Sequence, residues 1–445
     1  MTLKVRRMLS LIFIILFLTI SPAVILYAAG YKLGKDGFSV RRTGLFIVES
    51  KPRNAKIFLN GKAQKTMINS LLNRDNYITT PVKIKNLLPG EYELALELEG
   101  YLSWRKVLTI NPGASAYAKD INLFKTSLPL LITPSKIKAL DFSLDGKTAV
   151  IISADQLTFL NLADESKKSI SQNYLEGKNI VWSSDGQKLI IDNYFFKTDD
   201  LNFKIDLSKL TAGAFNYRWY NDVLFYQDSA SIYQLDHDNL PKKIIGNIEF
   251  KDYLVKAGYL YIINQTKPAA SLKIIELASN KEIKEINLPA AASYLFINPE
   301  QALLNLYDDS HKTLYLINPL AAYFSPLVEI INNLRIALWA DDNRLLYAND
   351  FEIWQYDLAA KKKTLLTRIS DPINRVVAHP NNNYIIYATP ETINVIELDE
   401  REKRNISELA KFDSIDSLVL NPEGDSLYFS GRVGQTEGLY KLLIQ

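Results

Sequence analysis

Asn179-Ile-Val-Trp-Ser-Ser-Asp-Gly-Gln-Lys-Leu-Ile-Ile191 and Ala139-Leu-Asp-Phe-Ser-Leu-Asp-Gly-Lys-Thr-Ala-Val-Ile-Ile-Ser153 share one plan: a short apolar strand, a polar Ser-x-Asp-Gly turn and a second apolar strand. Later copies read Ile336-Ala-Leu-Trp-Ala-Asp-Asp-Asn-Arg-Leu-Leu-Tyr-Ala348 and Ser417-Leu-Val-Leu-Asn-Pro-Glu-Gly-Asp-Ser-Leu-Tyr-Phe429. Units of about 40 residues recur eight times between Ile137 and Gln445, with first-strand anchors at Phe142, Trp182, Trp219, Leu254, Ile297, Trp339, Ala378 and Leu420. A period of this length, made only of strands and turns, predicts a β-propeller with one four-stranded sheet per unit. One such sheet cannot bury both of its faces, so neighbours must stack and the ring must close. The eighth unit stops after its third strand, Gly438-Leu-Tyr-Lys-Leu-Leu-Ile444, and Pro129-Leu-Leu-Ile-Thr133 is expected to supply the fourth. Eight sheets are expected, or seven if the weak copy at Lys251–Ile286 is misread.

Of 445 residues, 52 are basic and 49 acidic, a balance too near neutral to attract nucleic acid by charge. The chain has no cysteine, which excludes disulfides, thiolate metal sites and cysteine nucleophiles. Its 25 tyrosines suit half-buried strands, where the ring packs and the hydroxyl meets water.

Met8 to Ala29 is the one long apolar run, uninterrupted by charge. As a helix it would reach about 33 Å, enough for a hydrocarbon core of about 30 Å. Its thirteen Leu, Ile, Val and Phe side chains favour insertion by about 4–8 kcal/mol. Pro22 is a candidate kink. A cleaved signal peptide is the competing reading, with Lys4, Arg6 and Arg7 as its basic region. The run is too long for that, and cleavage after Ala28 or Ala29 would place bulky Leu26 or Tyr27 three residues before the cut. An uncleaved anchor over 8–30 is expected, with a cytoplasmic tail 1–7 and the bulk of the chain outside, although Lys32, Lys35, Arg41 and Arg42 weaken the charge asymmetry.

From Gly44 to Phe124 the pattern changes. Ala55-Lys-Ile-Phe-Leu59 runs into Asn60-Gly61, a strong hairpin signal, and Tyr92-Glu-Leu-Ala-Leu-Glu-Leu98 alternates at period two. About six or seven strands are expected to form a small antiparallel β-sandwich. Trp104 and Tyr101 are read as packing residues rather than a ligand patch. In order and spacing, Gly44-Leu-Phe-Ile-Val48, Ser50-Lys-Pro-Arg-Asn-Ala55, Leu59-Asn-Gly-Lys62, Thr80-Pro81, Leu88-Pro-Gly-Glu-Tyr92 and Gly100-Tyr101 resemble the PEGA domain over residues 43–124. Two features depart from that family. Its naming tetrapeptide falls on Pro52-Arg-Asn-Ala55, and the loop from Lys62 to Thr79 is long, with a candidate helical turn at Ile68-Asn-Ser-Leu-Leu72. The resemblance implies a non-catalytic spacer or adhesion module outside the membrane of a prokaryote. The Asp-Gly turns at 143–146 and 183–186 resemble those of TolB-like propeller repeats, while the Gly-His and Trp-Asp signatures of WD repeats are missing. That likeness implies a WD-repeat-like propeller over 127–445 with a binding role.

Little in the sequence speaks for chemistry. His237, His311 and His379 lie far apart, without metal-ligand spacing, and are read as solvated turn residues. Asp236-His-Asp238 and Asp308-Asp309 match no calcium loop. No nucleophile elbow, Walker loop or dinucleotide glycine pattern occurs. No catalytic, metal or cofactor residue is assigned, and no cofactor is expected. Trp182, Trp219 and Trp339 share one strand position, which favours wedges between sheets over an aromatic ligand platform. The expected fold is thus all-β with one transmembrane helix. The expected function is that of a membrane-anchored prokaryotic surface protein whose spacer presents a propeller to extracellular protein or glycan. The alternatives are a glycan hydrolase or lyase with axial carboxylates, and a purely structural envelope protein.

Overall fold

Alternation at period two dominates the chain after residue 40, and in the computed structural model it becomes strands almost throughout. The structure describes residues 3–34, 37, 39–65, 77–200, 202–235, 240–246, 249–266, 269–290, 293–298, 301–321 and 325–445. His237, the Asp236–Asp238 run and the helical turn expected at Ile68–Leu72 lie outside them. Two compact units form. The first comprises residues 1–127, 396–409 and 444–445, and the second comprises 128–395 and 410–443.

In the first unit, α1 (Leu3–Ala28) begins before the expected apolar boundary and takes in Arg6 and Arg7. It continues through Pro22. Its stretch from Val5 to Ala28 is long and apolar enough to span a membrane, and none of it is buried within the molecule. Gly30, at φ +83, ends it in the left-handed conformation typical of a helix C-terminus. A two-stranded hairpin follows, β1 (Tyr31–Leu33) with β2 (Val40–Arg42).

The PEGA-like region forms two sheets. One holds β3 (Gly44–Lys51) between β6 (Val82–Leu87) and β9 (Ser115–Asn122); the other has the order β5-β4-β7-β8, with β4 at Lys56–Leu59, β5 at Lys62–Ala63, β7 at Gly90–Glu97 and β8 at Trp104–Ile110. The β4–β5 turn is Asn60-Gly61 with both φ angles positive, as the sequence predicts. The pairing is not wholly antiparallel: β3 runs parallel to β9, Phe46 facing Ala116 and Val48 facing Ala118. The intervening hairpins carry the chain back to the same end before β9 begins, which no local pattern announces. Phe46, Val48, Ile57, Leu94, Leu96, Trp104, Leu108, Ile110 and Ile121 fill one core between the sheets, with Tyr101 against it.

Strand β8 puts Lys106 on the same face as Trp104, Leu108 and Ile110, and its ammonium is fully buried. Residues 396–409, in the same unit, supply its partners. Lys106 Nζ lies 3.1 Å from Glu397 Oε2 and 3.3 Å from Asp399 Oδ2, and donates to the Asp399 carbonyl at 2.9 Å. Trp104 Nε1 and Asn405 Nδ2 donate to the Glu397 carboxylate. Arg401 donates to both oxygens of Asp399. Burial pushes the Asp399 carboxyl up, but Arg401 and Lys106 outweigh it and hold it at about 2.

Among the described residues the repeats become eight four-stranded sheets, each ordered as in the sequence except the last. That sheet joins Ser414–Leu420, Ser426–Val433 and Thr436–Leu443 to Leu130–Thr133, with Leu131 facing Tyr440, so the strand expected from 129–133 is where the sequence puts it. The weak copy forms a complete sheet from Asp252–Lys256 through Lys281–Leu288. Apolar clusters lie between successive sheets rather than within them. Val150, Phe159, Trp182 and Phe196 share one; Phe225, Ile232, Tyr253 and Ile262 share another. Ala149, Ile151 and Leu160 of the first sheet pack with Tyr428 and Leu439 of the eighth, which closes the ring.

The turns between first and second strands link these sheets a second time. Ser143 Oγ donates to Asp145 at 2.7 Å and accepts from Thr148 N, and Ser183 repeats this with Asp185 and Lys188. A Cβ on Gly146, at φ +66, would lie 1.8 Å from Pro422 of the eighth sheet's turn. Gly146→Ala is therefore expected to cost at least about 2 kcal/mol, read as a lowered urea midpoint with an unchanged slope. His379 corrects the sequence reading. It is 3% exposed, and Nε2 donates to the Gly424 carbonyl at 3.0 Å while Nδ1 accepts from Asn381 N. His311 is solvated as expected and bonds Asp308 through Nδ1.

Candidate functional site

The first strand of each sheet is innermost in the ring, so residues on these strands and their turns line the axis. A cavity of about 770 Å³ opens there, where the first strands pass into their turns. Trp182, Trp219, Tyr220 and Trp339 contribute aromatic surface; Asn179, Asn298 and Gln301 contribute amides; Asp141, Arg218 and Lys256 contribute charge.

The three tryptophans sit as the wedges between sheets that the sequence favours, and they also line the cavity. Trp219 Nε1 donates to the Val181 carbonyl at 3.2 Å and Trp339 Nε1 to Asn305 Oδ1 at 3.3 Å, so both rings are fixed by the neighbouring sheet. Fixed aromatic groups bind with little loss of side-chain entropy.

The charged residues were not singled out in the sequence, although a signal was present. Asp141 and Arg218 each stand one residue before an anchor, Phe142 and Trp219, in strands whose other copies carry apolar residues there. Burial is the main influence on Asp141. The Phe142 backbone N–H and the neighbouring Trp182 indole offset it only in part, and the carboxyl is pushed up to about 6. Arg218 reaches both oxygens of Asp252 at 3.1 Å, and its Nε meets no acceptor among the described residues. Asp252 is 2% exposed and also accepts from Asn216 Nδ2, Tyr253 N and Phe296 N, tying together the third, fourth and fifth sheets. It is a structural clamp that aims the guanidinium.

The cavity therefore presents rigid indoles, amides and a carboxyl that burial pushes well above the ordinary carboxylate range. Asp141 is the one carboxylate among its described lining residues. The described residues include no group of three or more His, Asp or Glu able to hold a metal ion. Asp308 accepts from Ser310, His311 N and the His311 ring, and Asp309 pairs with Lys312. A second cavity, between the fifth and sixth sheets, is lined by charges that already neutralise one another, Arg335 with Asp350 and Arg368 with Glu352.

Residues 71–126 match the PEGA domain family. The match starts later than the motif residues at 44–62. No curated protein matches the chain. Among solved structures, the Dos1 propeller aligns with a TM-score of 0.51 at 13% identity, covering 71% of this chain and 95% of its own. A eukaryotic initiation factor aligns at 0.49 and 14% identity, covering 70% and 88%. The chain thus joins a region similar to the PEGA domain to a β-propeller of the fold seen in the Dos1 structure.

Proposed function

We propose that this is a membrane-anchored surface protein of a prokaryote. In this reading residues 8–30 span the bilayer, residues 1–7 remain in the cytoplasm, the PEGA-like region 43–124 is a non-catalytic spacer, and the propeller 127–445 binds an extracellular protein or glycan. The axial cavity carries the binding reading. Indoles locked by neighbouring sheets, flanked by amides and one largely buried carboxyl, suit the alternating apolar and hydroxyl surfaces of a sugar ring, so a glycan is the favoured ligand. The exposed apolar helix carries the anchoring reading.

A glycan array probed with the full chain in detergent tests the proposal. Trp339→Ala is expected to weaken the recognised glycan tenfold or more, the loss usual for a central aromatic contact. Unchanged affinity would move the ligand elsewhere on the propeller.

The raised carboxyl of Asp141 is what favours the second reading, a glycan hydrolase or lyase, because a general acid needs such a group. Glycoside hydrolysis ordinarily uses two facing carboxylates. Asp252 is committed to Arg218 and three other donors, so a non-catalytic binder is preferred. Turnover of a polysaccharide panel, abolished by Asp141→Asn, would reverse that preference. Absence of both binding and turnover would leave the structural envelope role.

A further inference from the structure

The segment that leaves α1 has an architecture of its own. Tyr31 faces Arg42 across the β1–β2 hairpin, Lys32 faces Arg41, and Leu33 faces Val40. Directly opposed residues share a face and successive residues alternate, so Tyr31, Leu33, Val40 and, at its end, Arg42 lie on one largely apolar face and Lys32 and Arg41 on the other. The apolar face is not buried: Tyr31 is 37% exposed, Leu33 60% and Val40 52%. An isolated two-stranded ribbon showing such side chains to water is at best marginally stable.

This ribbon is also tied to the end of the helix. Thr43 N and Thr43 Oγ1 both reach the Gly30 carbonyl at 2.7 Å, and Gly113 N donates to the Thr43 carbonyl at 3.1 Å. The hairpin therefore starts three residues after α1 ends and is held there by a buried threonine, rather than trailing as a loose linker. Tyr27, 52% exposed in the last turn of α1, and Tyr31 stand where aromatic residues favour the boundary between acyl chains and headgroups.

We infer that the β1–β2 hairpin docks on the headgroup layer of an anionic bilayer, with Tyr31, Leu33 and Val40 turned toward the acyl boundary and Lys32 and Arg41 toward lipid phosphates. Two observations select this occupant. The hairpin continues directly from a fully exposed apolar helix, and its described residues carry three cations and no acid. The inference rests on α1 being in the membrane. It also explains the basic residues beyond the helix, which weaken the charge asymmetry of the sequence: they serve lipid contact rather than orientation.

The chain has no cysteine, so single cysteines can carry an environment-sensitive fluorophore. The full chain is reconstituted in vesicles of phosphatidylcholine with or without phosphatidylglycerol, with probes on Leu33→Cys, Val40→Cys, Leu16→Cys in the helix and Lys62→Cys in the exposed β5 turn. Probes at 33 and 40 are expected to shift to the blue and to be quenched by headgroup-proximal spin-labelled lipid when phosphatidylglycerol is present; the probe at 62 should stay in water. Each cation near an anionic leaflet favours docking about fivefold. Lys32→Gln with Arg41→Gln should therefore lower the docked-to-free ratio roughly 25-fold and return the emission toward its phosphatidylcholine value. If the probes at 33 and 40 behave like the one at 62 while the probe at 16 is quenched by lipid, docking is wrong and the anchor stands. If the probe at 16 is also unquenched, both readings fail.

Discussion

Lys106→Ala is expected to destabilise the first unit by about 3–5 kcal/mol, the usual cost of leaving buried charges without their partner. Removing the ammonium strands Glu397, 5% exposed, with only the Trp104 and Asn405 donors, and takes from Asp399 one of its two cations. Lys106→Met, which keeps the volume, should lose nearly as much, because the deficit is electrostatic rather than a void. A Lys106→Met, Glu397→Gln double variant should recover part of it. Urea unfolding with a probe confined to the first unit measures all three. Acid supplies a further check. The Asp399 carboxyl sits at about 2 when folded against an ordinary 3.8, so its contribution is complete above about pH 4 and disappears as pH falls through 2. Lys106→Ala should shrink that acid-induced loss. An equal loss in wild type and variant would show that Lys106 does not support Asp399.

The second large effect has the opposite sign. Asp141→Asn is expected to stabilise the second unit by about 2 kcal/mol at pH 7, allowing for the partial exposure of the carboxyl. The folded pKa, about 6, lies above the unfolded 3.8, so the folded chain holds the proton more tightly. Stability must then fall as pH rises from about 4 to 6, and above 6 the ionised carboxyl is a standing cost. The amide removes that cost, so the gain should be present at pH 7 and vanish near pH 4. A residue that destabilises the fold where it stands is a mark of a site kept for binding. Equal urea midpoints for Asp141→Asn and wild type at pH 7 would remove that mark and weaken the axial cavity as the binding site.

Both effects rest on residues whose importance could not be read locally. The strand, turn and strand of each repeat were legible because they depend on neighbours one to five residues apart, as in the Ser143, Asp145 and Thr148 turn. The same holds for Asn60-Gly61 and for the apolar run of α1. Lys106 is different. Its period-two position puts it on an apolar face, and that is favourable only because Glu397 and Asp399, more than 290 residues later, arrive beside it. Asp141 is an ordinary strand residue until the ring closes and places it among Trp182, Trp219 and Trp339. His379 reads as a surface turn until the next turn covers it with Gly424.

Periodicity and turn chemistry, encoded over a few residues, set the strands, their number per repeat and the apolar helix. The tertiary structure alone decided which charges are buried and with whom, the parallel course of β3 beside β9, and the composition of the axial cavity. The reason is that backbone conformation answers to adjacent residues, whereas desolvation and ion pairing depend on whatever the completed fold brings within a few ångströms.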